Sequence, residues 1–238
     1  MTTAPSAFDA VLFDLDDTLL DGETAWQSGL ASLLVRCPEV EPGRARLAWD
    51  TAFERHFPRF LSGELTYDAH RAERIRSWSD LVNVAVPMGA ELDWFADYLV
   101  GYQAGWVAYP DVAPCLEALA RSGLRLGIIT NGDSVQQREK LEVLGLTNVF
   151  AVVVTAADIG IAKPDSRIFR HAAGELGVSP DRCVFVGDLR DTDALGAAAA
   201  GMKGVWLNRG PLSSPASEPA GADGIAEIAS LADLPLLF

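Results

Sequence analysis

The chain has 238 residues, about half of them hydrophobic and 22% charged, which suits a soluble globular protein of one domain with a large insertion, or two modest domains. A formal net charge of −14 works against nucleic acid and anionic membranes as partners. Residues 1–7 lack the layout of a secretory signal, no uncharged apolar run reaches the ~18 residues of a membrane span, and the three scattered cysteines (Cys37, Cys115, Cys183) form no zinc or disulfide pattern, so a cytoplasmic protein is expected.

Residues 8–15 (FDAVLFDL) form a short apolar run that predicts a buried strand. From about 24 to 106, Ala, Leu, Arg and Glu recur at helical spacing, with breaks near Pro38, Pro42, Gly43, Pro58, Ser62, Gly63, Pro87 and Gly89. That texture predicts about four helices and almost no strand. Trp26, Trp49, Trp78, Trp94 and Trp106 all fall here, as fillers of a helical-bundle core or walls of a pocket.

Beyond Tyr109 and Pro110 the pattern alternates. Helices are expected over 112–121, 134–144, 166–176 and 193–200. Strands are expected over 124–130, 149–155, 183–186 and 205–207, with a polar loop at 211–224 and a last helix near 225–232. Strands separated by helices of this length predict an α/β fold: a Rossmann-like parallel sheet with helices on both faces. The core would comprise residues 1–22 and 107–238, and residues 23–106 would form a helical cap inserted after the first strand. Ligands of open parallel sheets bind at the carboxyl ends of the strands, so an insert rooted there would cover the site as a lid.

Four strand ends carry chemistry-bearing residues. The first delivers Asp14-Leu15-Asp16-Asp17-Thr18, an acid pair that a solvated turn would also explain. The second delivers Thr130-Asn131-Gly132, readable as an anion cradle or as a helix cap. After the third comes Lys163, one of only three lysines, followed by Pro164; it is suited to a phosphoryl oxygen or to the surface. The fourth runs Gly187-Asp188-Leu189-Arg190-Asp191-Thr192-Asp193, where Asp191 and Asp193 would also favour a helix N-terminus.

Together these segments resemble the haloacid dehalogenase-like superfamily. Its signatures are DxDx[TV], a strand-end Thr or Ser, a Lys often followed by Pro, and a GDxxxxD-type acidic run. Here they read DLDDT, TNG, AKP and GDLRDTD, in the family's order and over about 8–22 and 108–210. Residues 128–146 and 183–202 look especially similar to its small-molecule phosphatases, and the helical insert matches the family's first cap type. Leu189 and Arg190 depart from the small polar residue usual after the first acid.

The resemblance implies a Mg²⁺-dependent phosphatase acting on a small phosphorylated metabolite of the nucleotide or sugar phosphate type. Asp14 would be the nucleophile that forms an aspartyl-phosphate, and Asp16 the acid and then base. Magnesium would be held by the side chains of Asp14 and Asp188 and the backbone carbonyl of Asp16, supported by Asp193. Thr130 and Lys163 would hold phosphoryl oxygens, with Asn131 and Gly132 shaping the cradle. That chemistry is self-consistent, since a carboxylate nucleophile splits hydrolysis into two displacements and the cation screens the acids. A phosphohexose mutase would keep all four segments; a metal-independent dehalogenase would normally lack Asp16, and a non-catalytic binding protein would have lost an acid or the lysine. In the cap, Arg55, His56, Arg59 and Tyr67 are candidates for contacting the substrate, or are ordinary helix residues.

Overall fold

The structure, a computed structural model, describes residues 7–210 and 224–237. The polar loop expected at 211–224, apart from Gly224, and nearly all of the 1–7 stretch lie outside the described residues. In chain order the elements are β1 (Ala10–Phe13), α1 (Gly22–Leu33), α2 (Pro42–Leu61), α3 (Tyr67–Val82), α4 (Glu91–Ala104), α5 (Val112–Arg121), β2 (Arg125–Thr130), α6 (Ser134–Val143), β3 (Val152–Thr155), the single-turn α7 (Ala156–Ile159), α8 (Ser166–Leu176), β4 (Cys183–Gly187), α9 (Gly196–Ala199), β5 (Lys203–Leu207) and β6 (Ala226–Ile228). Two compact units result: Met1–Leu20 with Ala108–Phe238, and Asp21–Val107.

In the first unit the six strands are all parallel, in the order β3-β2-β1-β4-β5-β6. Side chains alternate across a strand, so β1 feeds two cores. Val11 and Phe13 pack with Val112, Leu116 and Leu119 of α5 and with Leu231 and Leu234 near the C-terminus. Ala10 and Leu12 pack with Ile168, Phe169 and Ala172 of α8 and with Ala197 of α9. This is an α/β Rossmann-like sheet with helices on both faces. The strand order reverses between β1 and β4, where such sheets open a crevice outside their carboxyl ends.

Asp111, at the start of α5, braces this end of the sheet. Its carboxylate accepts from both Arg209 Nη atoms (2.9 Å each), Ser230 Oγ (2.7 Å) and Leu231 N (2.9 Å), while Arg209 Nη2 also donates to Thr18 O at 2.9 Å. Burial alone would raise the Asp111 pKa, but these donors hold it below the usual carboxylate range. A depressed folded-state pKa means the brace is present above the unfolded value and is lost as pH falls through the folded one. Asp111→Ala is expected to cost about 1.5–3 kcal/mol of stability at neutral pH, measured by urea melts, with a smaller difference in acid.

Two expectations for this unit are corrected. The helix at 193–200 is instead a wide π-type turn over Arg190–Leu195 followed by the short α9. At its start the Asp193 carboxylate accepts Leu189 N at 3.0 Å while its own N–H donates to Leu189 O at 2.8 Å. The last helix, near 225–232, is instead β6, paired parallel to β5, and a 3₁₀ segment over Leu231–Leu237. The open edge of β5 supplies hydrogen bonds that outweigh local helical spacing.

The second unit is four helices, with α1 packed on α4 and α3 on both α2 and α4. Trp49 and Trp78 are fully buried and Trp94 and Trp106 nearly so, whereas Trp26 is half-buried against Phe53. Prolines expected as breaks act differently. Pro42 opens α2 at its first turn, where no N–H is needed, and Pro58 lies inside its last turn. An interior proline costs about 3 kcal/mol. Ring contacts of Phe53 with Phe57 (4.5 Å) and of Phe60 with His70 (5.6 Å) offset part of this.

Candidate active site

The apolar residues of β1 lock the strand in the middle of the sheet, so the chain must emerge at Asp14. The backbone there is still tied to β4, with Asp14 N donating to Val186 O at 2.9 Å. The chain then turns sharply: Leu19 N and Leu20 N both bond to Leu15 O (2.9 and 3.0 Å), and Asp17 takes a left-handed backbone with φ 58°. Aspartate tolerates that conformation better than most residues. The turn tucks Thr18 under the acids, its hydroxyl 3.4 Å from Asp14 Oδ2 and from Asp188 Oδ1, while Asp188 N donates to it at 3.2 Å.

At the end of β4, Gly187 makes room for Asp193. A Cβ at position 187 would lie 2.3 Å from Asp193 Oδ2, so no other residue fits without displacing that carboxylate. Trp206 Nε1 donates to Asp188 O at 2.9 Å and fixes the next residue. Carboxylate oxygens of Asp14, Asp188 and Asp193 consequently lie within 4.8 Å of one another. Burial, then repulsion from Asp193 and Asp16, pushes the Asp14 pKa up to about 7 against the pull of Lys163. Burial and the neighbouring acids, Asp14 first, push Asp188 up to about 8. Three crowded all-oxygen donors, Asp14 and Asp193 buried and Asp188 half-buried, fit a hard divalent cation.

Lys163 is the built-in counter-charge. Its Nζ is 2.5 Å from Asp14 Oδ1 and 2.7 Å from Asp193 Oδ1, and the residue is 5% exposed. Burial pulls its pKa down, yet the two carboxylates more than offset this and leave it above its usual value. Asn131 fastens the segment in place: Lys163 N donates to its Oδ1 at 2.8 Å and its Nδ2 donates to Lys163 O at 3.0 Å. The Asn131 amide is thus committed to holding Lys163.

Two residues outside the motifs complete the site. Gln137 and Lys140, three apart on α6, share one face of that helix, and both are buried. Lys140 Nζ lies 2.5 Å from Asp16 Oδ1, and Gln137 Nε2 donates to Asp16 Oδ2 at 2.7 Å and to Thr130 Oγ1 at 2.6 Å. Thr130 Oγ1 also accepts Gly132 N at 3.3 Å, which leaves its own proton to donate. Gly132 is required because a Cβ there would lie 2.4 Å from Gln137 Cδ. The sequence signal for this pair was slight: Lys140 is one of three lysines, and its spacing from Gln137 matches one helix face.

This arrangement is shared with known proteins. Residues 8–201 match the haloacid dehalogenase-like hydrolases. The chain belongs to that family. The glyceraldehyde 3-phosphate phosphatase of Methanopyrus kandleri is 34% identical over 209 residues, 84% of each chain. Human N-acylneuraminate-9-phosphatase is 28% identical over 219 residues, 88% of this chain and 86% of that one. The fold matches a solved haloacid dehalogenase-type hydrolase, magnesium-bound YfnB of Bacillus subtilis, with a TM-score of 0.77 at 22% identity, over 97% and 98% of the two chains. This haloacid dehalogenase-like hydrolase is a phosphoric monoester hydrolase.

Of the residues singled out from sequence, Asp14, Asp188, Asp193 and Lys163 form one cluster, while Asp16 and Thr130 are joined through Gln137. Asp16 turns its carboxylate to α6 instead of into the acid triad. In the second unit, His56 is buried with Nε2 2.6 Å from Ser77 Oγ, Arg59 pairs with Glu64 at 2.6 Å, and Arg55 is exposed. Among the described residues, no helix is long and apolar enough to cross a membrane.

Proposed function

We propose that this enzyme hydrolyses a small phosphorylated metabolite, of the nucleotide or sugar phosphate type, through an aspartyl-phosphate on Asp14 with Mg²⁺ as cofactor. The observation that carries the reading is the meeting of Asp14, Asp188, Asp193 and Lys163 at the carboxyl ends of parallel strands. Similar proteins act on glyceraldehyde 3-phosphate and on an N-acylneuraminate 9-phosphate, in keeping with a small substrate.

In the first displacement an Asp14 oxygen bonds to phosphorus, the ester P–O bond breaks, and Asp16 gives its proton to the leaving oxygen. In the second, Asp16 takes a proton from a water whose oxygen attacks phosphorus; phosphate leaves and the Asp14 carboxylate is regained. Lys163 and the free Thr130 proton face the charge that spreads over the phosphoryl oxygens. Mg²⁺, held by Asp14, Asp188 and the Asp16 carbonyl with Asp193 beside them, would neutralise phosphoryl charge when bound. The reading is tested by phosphate release from p-nitrophenyl phosphate and a metabolite panel in Mg²⁺; no release from any ester would refute it.

Within this reading Lys140 and Gln137 aim Asp16. A general acid matters most when the leaving oxygen is basic. Replacing Lys140 with Met is therefore expected to slow alkyl phosphates at least about tenfold more than p-nitrophenyl phosphate. Equal losses on both esters, measured as kcat/KM, would make the ion pair a packing feature only.

A further inference from the structure

Gln137, on α6, is wholly buried, yet only the nitrogen of its amide is used. Nε2 donates to Asp16 Oδ2 at 2.7 Å and to Thr130 Oγ1 at 2.6 Å, which takes up both of its hydrogens. Oε1 is buried without a partner among the described residues. Turned the other way, the amide would set Oε1 against an Asp16 carboxylate oxygen, acceptor against acceptor, so its orientation is fixed. A buried acceptor without a donor is unfavourable, and an apolar side chain of similar length would avoid it. The position therefore keeps an amide for what Nε2 does.

The consequence falls on Thr130. A hydroxyl has two lone pairs and one proton. Nε2 occupies one lone pair and Gly132 N, at 3.3 Å, the other, so the buried hydroxyl has only its proton left to offer. Without Nε2 a lone pair opens, and the hydroxyl is free to turn and accept from another donor instead. Gly132 serves the same arrangement. Its backbone does not take the left-handed conformation that demands glycine. What a side chain there would meet is Gln137: a Cβ would lie 2.5 Å from its Nε2 and 2.7 Å from its Cγ. The glycine keeps open the space in which the amide sits.

We propose that Gln137 is a positioning residue for phosphoryl binding: its amide locks the Thr130 hydroxyl as a donor to the phosphoryl group. This rests on the phosphatase reading above and gives Gln137 a role separate from aiming Asp16. An oxyanion donor already fixed in direction needs no reorganisation when charge develops, which is where such a contact acts most strongly.

Kinetics on p-nitrophenyl phosphate isolate this role. That leaving group needs little general acid, and kcat/KM covers only the steps up to its departure, so the contact of Nε2 with Asp16 drops out. Gln137→Met is expected to lower kcat/KM about 10- to 100-fold and to weaken inhibition by inorganic phosphate by a similar factor. The same substitution should cost as much in a Thr130→Ser background. In Thr130→Val, which keeps the shape without the hydroxyl, it should cost no more than about threefold. Gly132→Ala, which displaces the amide by another route, should follow the same pattern and carries the test if Gln137→Met does not fold. Undiminished kcat/KM in Gln137→Met, or a larger further loss in the Thr130→Val background, would overturn the proposal, because a packing role does not depend on the hydroxyl. If no ester is hydrolysed, the phosphatase reading fails, and the affinity for inorganic phosphate, measured by calorimetry, then decides. The same dependence on the Thr130 hydroxyl would uphold the positioning role; its absence, or no phosphate binding at all, would sink it.

Discussion

Asp14→Asn protein is expected to fold and to release phosphate at least about 10,000-fold more slowly than the unaltered enzyme. The amide has the size of the carboxylate but cannot form the acyl-phosphate bond. Little stability should be lost with it. Asp14 is strongly desolvated and repelled by Asp193 and Asp16, so its charge is held there at a penalty that Lys163 relieves in part. After substitution Lys163 keeps Asp193, 2.7 Å away, and the acid cluster carries one charge fewer. A melting temperature within a few degrees of the parent, together with lost turnover, would separate chemistry from folding. Persistent turnover in a folded variant would remove Asp14 from the nucleophile's role.

Removing divalent cations should be nearly as damaging, with turnover falling at least about 1,000-fold under chelation and returning with Mg²⁺. A second readout needs no substrate. A ligand bound only by the folded state stabilises it by about 2.7 kcal/mol at 100 times its Kd, so Mg²⁺ should raise the melting temperature. Asp188→Asn should lose most of that shift. The pH dependence has a definite sign. Without the cation, Asp14 and Asp188 bind protons up to about 7 and about 8, and the cation must displace those protons. The Mg²⁺-induced shift should therefore grow as pH rises from 6 to 8 and level off above. A shift that shrank over that range would count against these ligands.

Much of the core could be read from local pattern because local and tertiary preferences agree there. Helix α8 starts and ends at 166 and 176 as expected, since Asp165 caps its N-terminus and Gly177 leaves it with φ 65°. Elsewhere a distant partner decides. Ile225, Ile228 and Leu231 sit three apart and mimic a helix face, but β5 offers an unpaired edge and the segment pairs with it. The widened turn at Arg190–Leu195 is accompanied by a bond from Leu189 N to the Asp193 carboxylate that no periodicity signals. The acids at strand ends were legible for a simple reason: a parallel sheet sends every strand's carboxyl end to the same edge. Lys140 and Gln137 were not, because 134–143 is polar around most of its circumference. Which face turns inward is set by how α6 packs, and only then does an apparent surface lysine meet Asp16.

The position of Lys163 between Asp14 and Asp193 also bears on which metals can serve. With all three acids ionised, one ammonium leaves the cluster two charges short of neutrality. A dication closes that gap, whereas sodium or potassium leaves a residual negative charge facing an incoming phosphoryl dianion. A lanthanide would overshoot and grip the phosphate product. Valence, ahead of ionic radius, should therefore be the first filter on the ions this enzyme can use.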